Sequence, residues 1–257
     1  ILWDANSNYN ALQLRAEKRF SRGLDFQASY TWSKAIDDAS STGGEFSNQP
    51  PGSREQDAFD SRSQRGRAAF DARHFFVLNA IYEFPTNKSL EGALDKLLNG
   101  WQVTGILTTR TGFPFNPILG FDRANDASAD NVAQRPDVVP GRSYESAVTG
   151  KVEQYVDPTA FQLPPENSYG NSGRNVLEGP GLVTFDLGLF KNTTISERVR
   201  IQFRAEAFNL FNHANFAIPD NFTIFVDANS TVPGTFGRIT RTTTTSRQIQ
   251  FGVKLIY

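Results

Sequence analysis

The sequence predicts an all-β protein: an antiparallel transmembrane β-barrel, of which this chain supplies about seven strands with long extracellular loops. Three observations lead to this prediction. Apolar and polar residues alternate in segments long enough to cross a bilayer as tilted strands of about 9 to 11 residues. Short and long connections alternate between these segments, as in bacterial outer-membrane barrels. No stretch approaches the roughly 18 consecutive apolar residues that a membrane-spanning helix needs.

The composition excludes several classes of function. The 257 residues carry 26 Lys and Arg against 27 Asp and Glu, so the net charge of -1 predicts no nucleic-acid partner. The absence of cysteine excludes disulfides and thiol chemistry. Because the chain begins at Ile1, lacks methionine and has no signal segment, we expect it to be part of a longer protein.

The first two strands form the clearest pattern. In residues 24–34 one face is wholly polar, and the other holds Leu24, Phe26, Ala28, Tyr30 and Trp32. A helix could not separate these two sets of side chains. Residues 8–20 alternate in the same way, and Ser21, Arg22 and Gly23 between the two runs predict a tight hairpin turn.

Five further alternating runs follow, at about 74–85, 100–112, 182–191, 198–210 and 246–257. The long connections, at 35–73, 113–181 and 211–245, are rich in Gly, Pro, Asn, Asp and Ser, which predicts solvated surface loops. The shorter connections lie at 86–99 and 192–197. The first of these predicts a short periplasmic helix with Gly92 in its middle.

Two runs depart from clean alternation. Phe75, Val77 and Ile81 fall on the face that should line the lumen, where they would pack against a plug or an inward loop. Asn209 falls on the apolar face, and a β-bulge would explain it.

Alternation alone also fits a soluble β-sandwich. Charged polar faces such as that of Arg200, Arg204 and Glu206 favour a water-filled lumen instead. Aromatic residues at the predicted strand ends favour an interfacial girdle, which would consist of Phe20, Tyr30, Trp32, Phe84, Trp101 and Tyr257. The final segment resembles the C-terminal assembly signal of outer-membrane barrels, through Gln250, Gly252, Leu255 and Tyr257.

Four segments together resemble the barrel of TonB-dependent receptors, especially the Oar-like group with an N-terminal carboxypeptidase-regulatory-like domain. They are residues 9–38, 70–85, 99–117 and 203–216. The resemblance implies that residues 1–257 are the C-terminal part of a barrel of about 22 strands, closed around a plug and energised through TonB. The plug and the N-terminal strands would lie outside this chain. The implied partners are outer-membrane lipid, the barrel-assembly machinery, the TonB complex and an unidentified extracellular ligand.

The residues predict no catalytic, cofactor or metal site. No phosphate-binding loop, nucleophile elbow or HExxH motif is present, so we expect no enzyme. His74 and His213 read as rim residues, and Asp122, Asp126 and Asp130 lack the glycine and glutamate of an EF-hand loop.

The leading functional hypothesis is energy-coupled uptake across the bacterial outer membrane. A passive porin, a surface adhesin and a soluble β-rich binding domain or enzyme remain alternatives.

Overall fold

The computed structural model describes residues 6–38, 56–57, 60–126 and 134–257. Its main feature is an antiparallel sheet whose seven long strands follow one another in chain order. They are β1 (Ser7–Ser21), β2 (Leu24–Asp37), β3 (His74–Glu83), β4 (Trp101–Arg110), β5 (Leu182–Ser196), β6 (Val199–Phe208) and β7 (Gln248–Ile256). Each predicted run corresponds to one of them, and even the shortest, with 9 residues, can cross a bilayer.

The cross-strand register keeps apolar side chains on one face of the sheet. Leu14 pairs with Tyr30, which pairs in turn with Phe76 on the next strand. At the far side of the sheet, Ala205 pairs with Phe251. We call this surface the outward face and the opposite one the lumen face. The apolar side chains of the outward face are exposed or only partly buried across the described sheet, which is the arrangement of a barrel wall in contact with lipid.

The sheet is open. β1 and β7 are its two edges, and in the described part of the chain they are not hydrogen-bonded to each other. Gly66–Arg67 pairs with the end of β2 and lies off the main strand order. Unpaired strand edges are not tolerated in hydrocarbon, so in a membrane both edges need hydrogen-bonding partners.

Short connections join the strands at one end of the sheet. The predicted turn of Ser21, Arg22 and Gly23 shortens to Arg22 and Gly23, because Ser21 belongs to β1; both turn residues have positive φ, 54° and 82°, as a two-residue hairpin turn requires. β5 continues to Ser196, so the predicted connection at 192–197 shortens to Glu197 and Arg198. The predicted helix is α1, Gly92–Leu98, and Gly92 is its first residue rather than its middle.

The three long connections lie at the other end of the sheet and pack together. The prediction of solvated loops is wrong for much of their described length, because the 111–181 and 209–247 connections share a hydrophobic core, to which hydrogen bonds tie the 38–73 connection. We call this packed unit the cap; it comprises described residues from 38–73, 111–181 and 209–247. Its core consists of Phe115, Leu119, Ala147, Tyr155, Val156, Ala160, Phe161, Leu177, Ile224, Phe225, Phe236 and Ile239.

The cap is built from short elements. Its helical turns are α2 (Tyr144–Ala147) and two 3-10 helices, Ser61–Gln64 and Pro158–Ala160. Three small ladders pair Pro114–Phe115 with Leu177–Glu178, Ile118–Leu119 with Thr223–Phe225, and Asp137–Val138 with Phe161–Gln162. The second of these joins the 111–181 and 209–247 connections, so these two connections form a single packed unit.

The two irregular runs have different explanations. Phe75 does lie on the lumen face and lines the same cleft as Phe70 and Phe113 from the connections, which favours the inward-loop alternative for this residue. Asn209 is not in a bulge. It follows the end of β6 with φ 50°, and its side-chain amide donates to the carbonyls of His213 and Thr245.

Among the described residues no helix is long and apolar enough to span a membrane.

Candidate functional site

A buried arginine fastens the cap to the sheet. Arg174 is 2% exposed, and its guanidinium forms a salt bridge with Asp37 at the end of β2. Its Nε donates to the carbonyl of Gln64 at 2.7 Å. One cation thus joins the 111–181 connection to the 38–73 connection and to the barrel wall.

A second buried arginine lies beside the first. The Arg135 guanidinium donates to the Ser172 carbonyl at 2.9 Å and to Gln64 Oε1 at 3.3 Å. Its backbone N–H donates to Gln56 Oε1 at 2.7 Å. Burial, together with the charge of Arg174, lowers the pKa of Arg135 to about 10, so the guanidinium is still charged at neutral pH. Carbonyl oxygens solvate this cation, which ties the same two connections together.

The 209–247 connection joins the cap through backbone and core contacts. The Tyr155 N–H donates to the carbonyl of Gly237 at 2.8 Å, and the Tyr155 ring belongs to the shared core. The Tyr155 hydroxyl donates to the carbonyl of Glu178 at 3.0 Å. Burial raises the pKa of Tyr155 to about 12, so the phenol stays neutral and acts as a structural donor.

Two clefts lie where the cap meets the sheet. The first, of about 400 Å³, lies between the cap and the ends of β4 and β5; Phe113, Pro114, Pro180, Phe216 and Ile218 form its apolar wall. The second, of about 430 Å³, lies over the lumen face of β1 to β4; its walls include Tyr9, Gln13, Thr31, Phe70 and Phe75. Each volume is in the range of small-molecule sites. The mouth of the lumen is therefore the best candidate site in the described structure.

The two clefts share Arg110 and Phe113. Arg110 is the last residue of β4, and its pairing with Phe75 places it on the lumen face. The guanidinium carbon lies 3.9 Å from the centroid of the Phe113 ring, a cation–π contact. Within the described residues, its guanidinium donates one hydrogen bond, to the Thr111 carbonyl at 3.5 Å. This arrangement leaves a cation at the junction of two partly apolar clefts.

The predicted girdle residues lie at both ends of the sheet, as the sequence places them. Phe20, Phe84 and Tyr257 are exposed near the short connections, and Trp32 is exposed near the long ones. Trp101 donates its indole N–H to the carbonyl of Leu97 at 3.0 Å. Tyr30 Oη lies 2.8 Å from His74 Nδ1. The role of these residues at a membrane interface stays a prediction.

The predicted assembly-signal residues lie on β7 or directly after it. Gln250 donates to Glu206 Oε2 at 2.8 Å across the lumen face, and Gly252 pairs with Arg204. Leu255 pairs with Ile201 on the outward face, and Tyr257 follows the strand. Their recognition by assembly machinery stays a prediction.

The residues considered for a metal site have other contacts. Asp122 accepts a hydrogen bond from Gln134 Nε2 at 2.7 Å, and Asp126 accepts one from the Tyr169 hydroxyl at 2.8 Å. Asp130 lies outside the described residues. No group of three or more His, Asp or Glu that could hold a metal was found in the part of the chain that the structure describes.

Sequence reasoning missed the residues that build the site. Parity along β4 would have placed Arg110 on the lumen face, because it alternates with Thr109 beside a long connection. No local signal marks Arg135 or Arg174, since their partners are far away in the chain.

An apolar outward face, a largely polar lumen face and a folded cap at one end are features expected of an outer-membrane barrel protein. The chain belongs to the outer membrane beta barrel domain family, whose model matches residues 1–250. It is therefore a protein of the outer membrane. Comparison with curated proteins and with solved structures found no match.

Proposed function

We propose that this chain is the C-terminal part of a TonB-dependent receptor that captures a ligand at the cell surface and takes it up through a plugged barrel. The observation that carries the proposal is the pair of clefts at the mouth of the lumen, beneath a cap with its own core. A binding site at this position stands at the entrance of the path that a ligand would take. The proposal is of a receptor and not of an enzyme.

The open sheet supports the proposal. Its unpaired edges require additional strands, which we assign to another part of the same barrel. The plug and the segment that contacts TonB would belong to that other part too. β7 carries the residues that we assign to recognition by the barrel-assembly machinery, Gln250, Gly252, Leu255 and Tyr257.

The proposed topology can be tested with two matched substitutions in the full-length protein. Glu166 lies in the cap and Glu197 in a short turn, and both are exposed at opposite ends of the sheet. This chain contains no cysteine that would compete for a label. In intact cells, an impermeant maleimide should label Glu166→Cys but not Glu197→Cys, and lysis should make both reactive. Equal labelling of the two in intact cells would contradict the topology.

The transport step can be tested without knowing the ligand. Mass spectrometry of spent medium would compare the wild type, a strain lacking the receptor and a strain lacking TonB. We expect at least one compound that only the wild type depletes. Receptor-dependent depletion that persists without TonB would indicate a passive porin. An unchanged depletion profile, with altered cell attachment, would indicate an adhesin.

A further inference from the structure

Arg110 has no carboxylate partner among the described residues, although acidic groups lie nearby. Asp71 lines the same cleft, but its Oδ2 accepts from Arg67 Nε at 2.8 Å and lies 3.8 Å from Arg73. Glu178 also pairs with Arg67, at 3.3 Å. Both of these carboxylates are thus committed to other arginines.

The other arginine of the first cleft is neutralised. Arg241 Nε donates to Asp220 Oδ1 at 3.0 Å, and the same carboxylate accepts from the backbone N–H of Thr240 at 2.9 Å. The two arginines that line the cleft therefore differ. The guanidinium of Arg241 is paired with a carboxylate of the cap, whereas the guanidinium of Arg110 is available to bind an anionic group in the cleft.

The surroundings of Arg110 favour a ligand that is more than a simple ion. Its guanidinium is half-buried against Phe113, and a partly desolvated cation gains most from an anion that it can bind through paired hydrogen bonds. Phe216 and Ile218 line the same cleft and offer apolar surface a short distance from the cation. A ligand with an anionic group and an apolar or aromatic body would satisfy both features.

We propose that the clefts bind an organic anion, with its carboxylate on the Arg110 guanidinium and its apolar body against Phe113, Phe216 and Ile218. This inference rests on the proposed function, since it names the chemical class of the ligand that the receptor captures. Phe113 acts on both sides of the site: it supports the guanidinium and forms part of the apolar wall.

The test uses a pair of probes that differ only in charge, 4-phenylbutyrate and its neutral amide. Full-length receptor in lipid nanodiscs would be titrated by saturation-transfer difference NMR, with empty nanodiscs as the blank. The acid should bind on the order of ten-fold more tightly than the amide, because the hydrogen bonds to guanidinium are charge-assisted. Equal affinity of the two probes, or no binding of either, would overturn the proposal.

Two substitutions locate the site. Arg110→Gln should remove the preference for the acid and leave the affinity of the amide within about two-fold. Arg241→Gln is the matched control on the same cleft and should retain the preference, because that side chain is engaged with Asp220. Arg110→Lys keeps the charge and should retain part of the preference, so a folding defect in Arg110→Gln does not decide the outcome. A preference that survives Arg110→Gln would overturn the site.

The binding measurement requires no TonB. If the wild-type receptor showed no preference for the acid, that result would therefore count against this site and leave the transport proposal in place. If the receptor kept its preference for the acid but uptake did not need TonB, the result would count against energy-coupled transport and leave the binding site in place.

Discussion

The sheet and the cap bury their apolar side chains in different ways. On the outward face of β7, Phe251 and Val253 are 72% and 71% exposed, whereas Phe115 and Ile224 in the cap are 1% and 0% exposed. The cap has a close-packed core of its own, as a domain in water must have. The outward face has none, since its apolar contacts are to be made by lipid. One short chain thus contains elements suited to two different solvents.

The two regions also treat charge differently. In the middle of β6, the charged residues Arg204 and Glu206 lie on the lumen face. In the cap, Arg135 and Arg174 are buried and held by carbonyl oxygens and by Asp37. Breaking a buried ion pair is strongly destabilising, because removal of one partner leaves the other charge buried without a counter-charge. The connection between cap and sheet should therefore be the most sensitive point in the molecule.

The largest effect is expected for Arg174→Ala. This substitution removes the buried cation that pairs with Asp37 and should destabilise the cap by about 3 to 5 kcal/mol. Proteinase K treatment of outer-membrane vesicles should then cleave the cap much faster than in the wild type. Arg238→Ala, at an exposed arginine of the cap, is the control and should change the rate little. Equal cleavage of the two variants would mean that the arginine does not fasten the cap.

A second comparison tests whether the cap has a true core. Ile224 is fully buried, and Val226, two residues along the chain, is 43% exposed. Ile224→Ala should lower the free energy of cap opening by about 2 to 5 kcal/mol, and Val226→Ala by less than about 0.5 kcal/mol. Hydrogen–deuterium exchange in the cap segments measures both. Similar, small effects at the two positions would indicate solvated loops, as the sequence alone predicts.

The third comparison tests the outward face against the lumen face. Phe251 and Gln250 are neighbours near the middle of β7, and their side chains lie on opposite faces. Phe251→Arg should destabilise the barrel by about 2 to 4 kcal/mol if this face contacts lipid near the bilayer midplane. Gln250→Arg keeps a partner in Glu206 and should cost less than about 0.5 kcal/mol.

Urea unfolding of the full-length protein in lipid vesicles gives both free-energy changes. This assay contains no assembly machinery, so an effect of Gln250→Arg on assembly does not alter the measured stability. A Gln250→Arg variant as damaged as Phe251→Arg would contradict the assignment of the two faces.

The sequence by itself determined the positions of the long strands, the two faces of the sheet and the first hairpin turn. These features are local, because side chains on a strand alternate faces with a period of two and a two-residue turn needs positive φ. The resemblance to a receptor family also came from such segments, and the family comparison supports its coarser part, an outer-membrane barrel.

Only the tertiary structure decided the cap and the site beneath it. The cap core joins residues from separate connections that have no common period, so their composition alone predicts solvent exposure. Arg174 and Asp37 are 137 positions apart, and no local pattern connects them. The alternation of side chains along β4 is enough to predict that Arg110 lies on the lumen face. Its contact with Phe113 and the commitment of nearby carboxylates to other arginines depend on how distant segments pack.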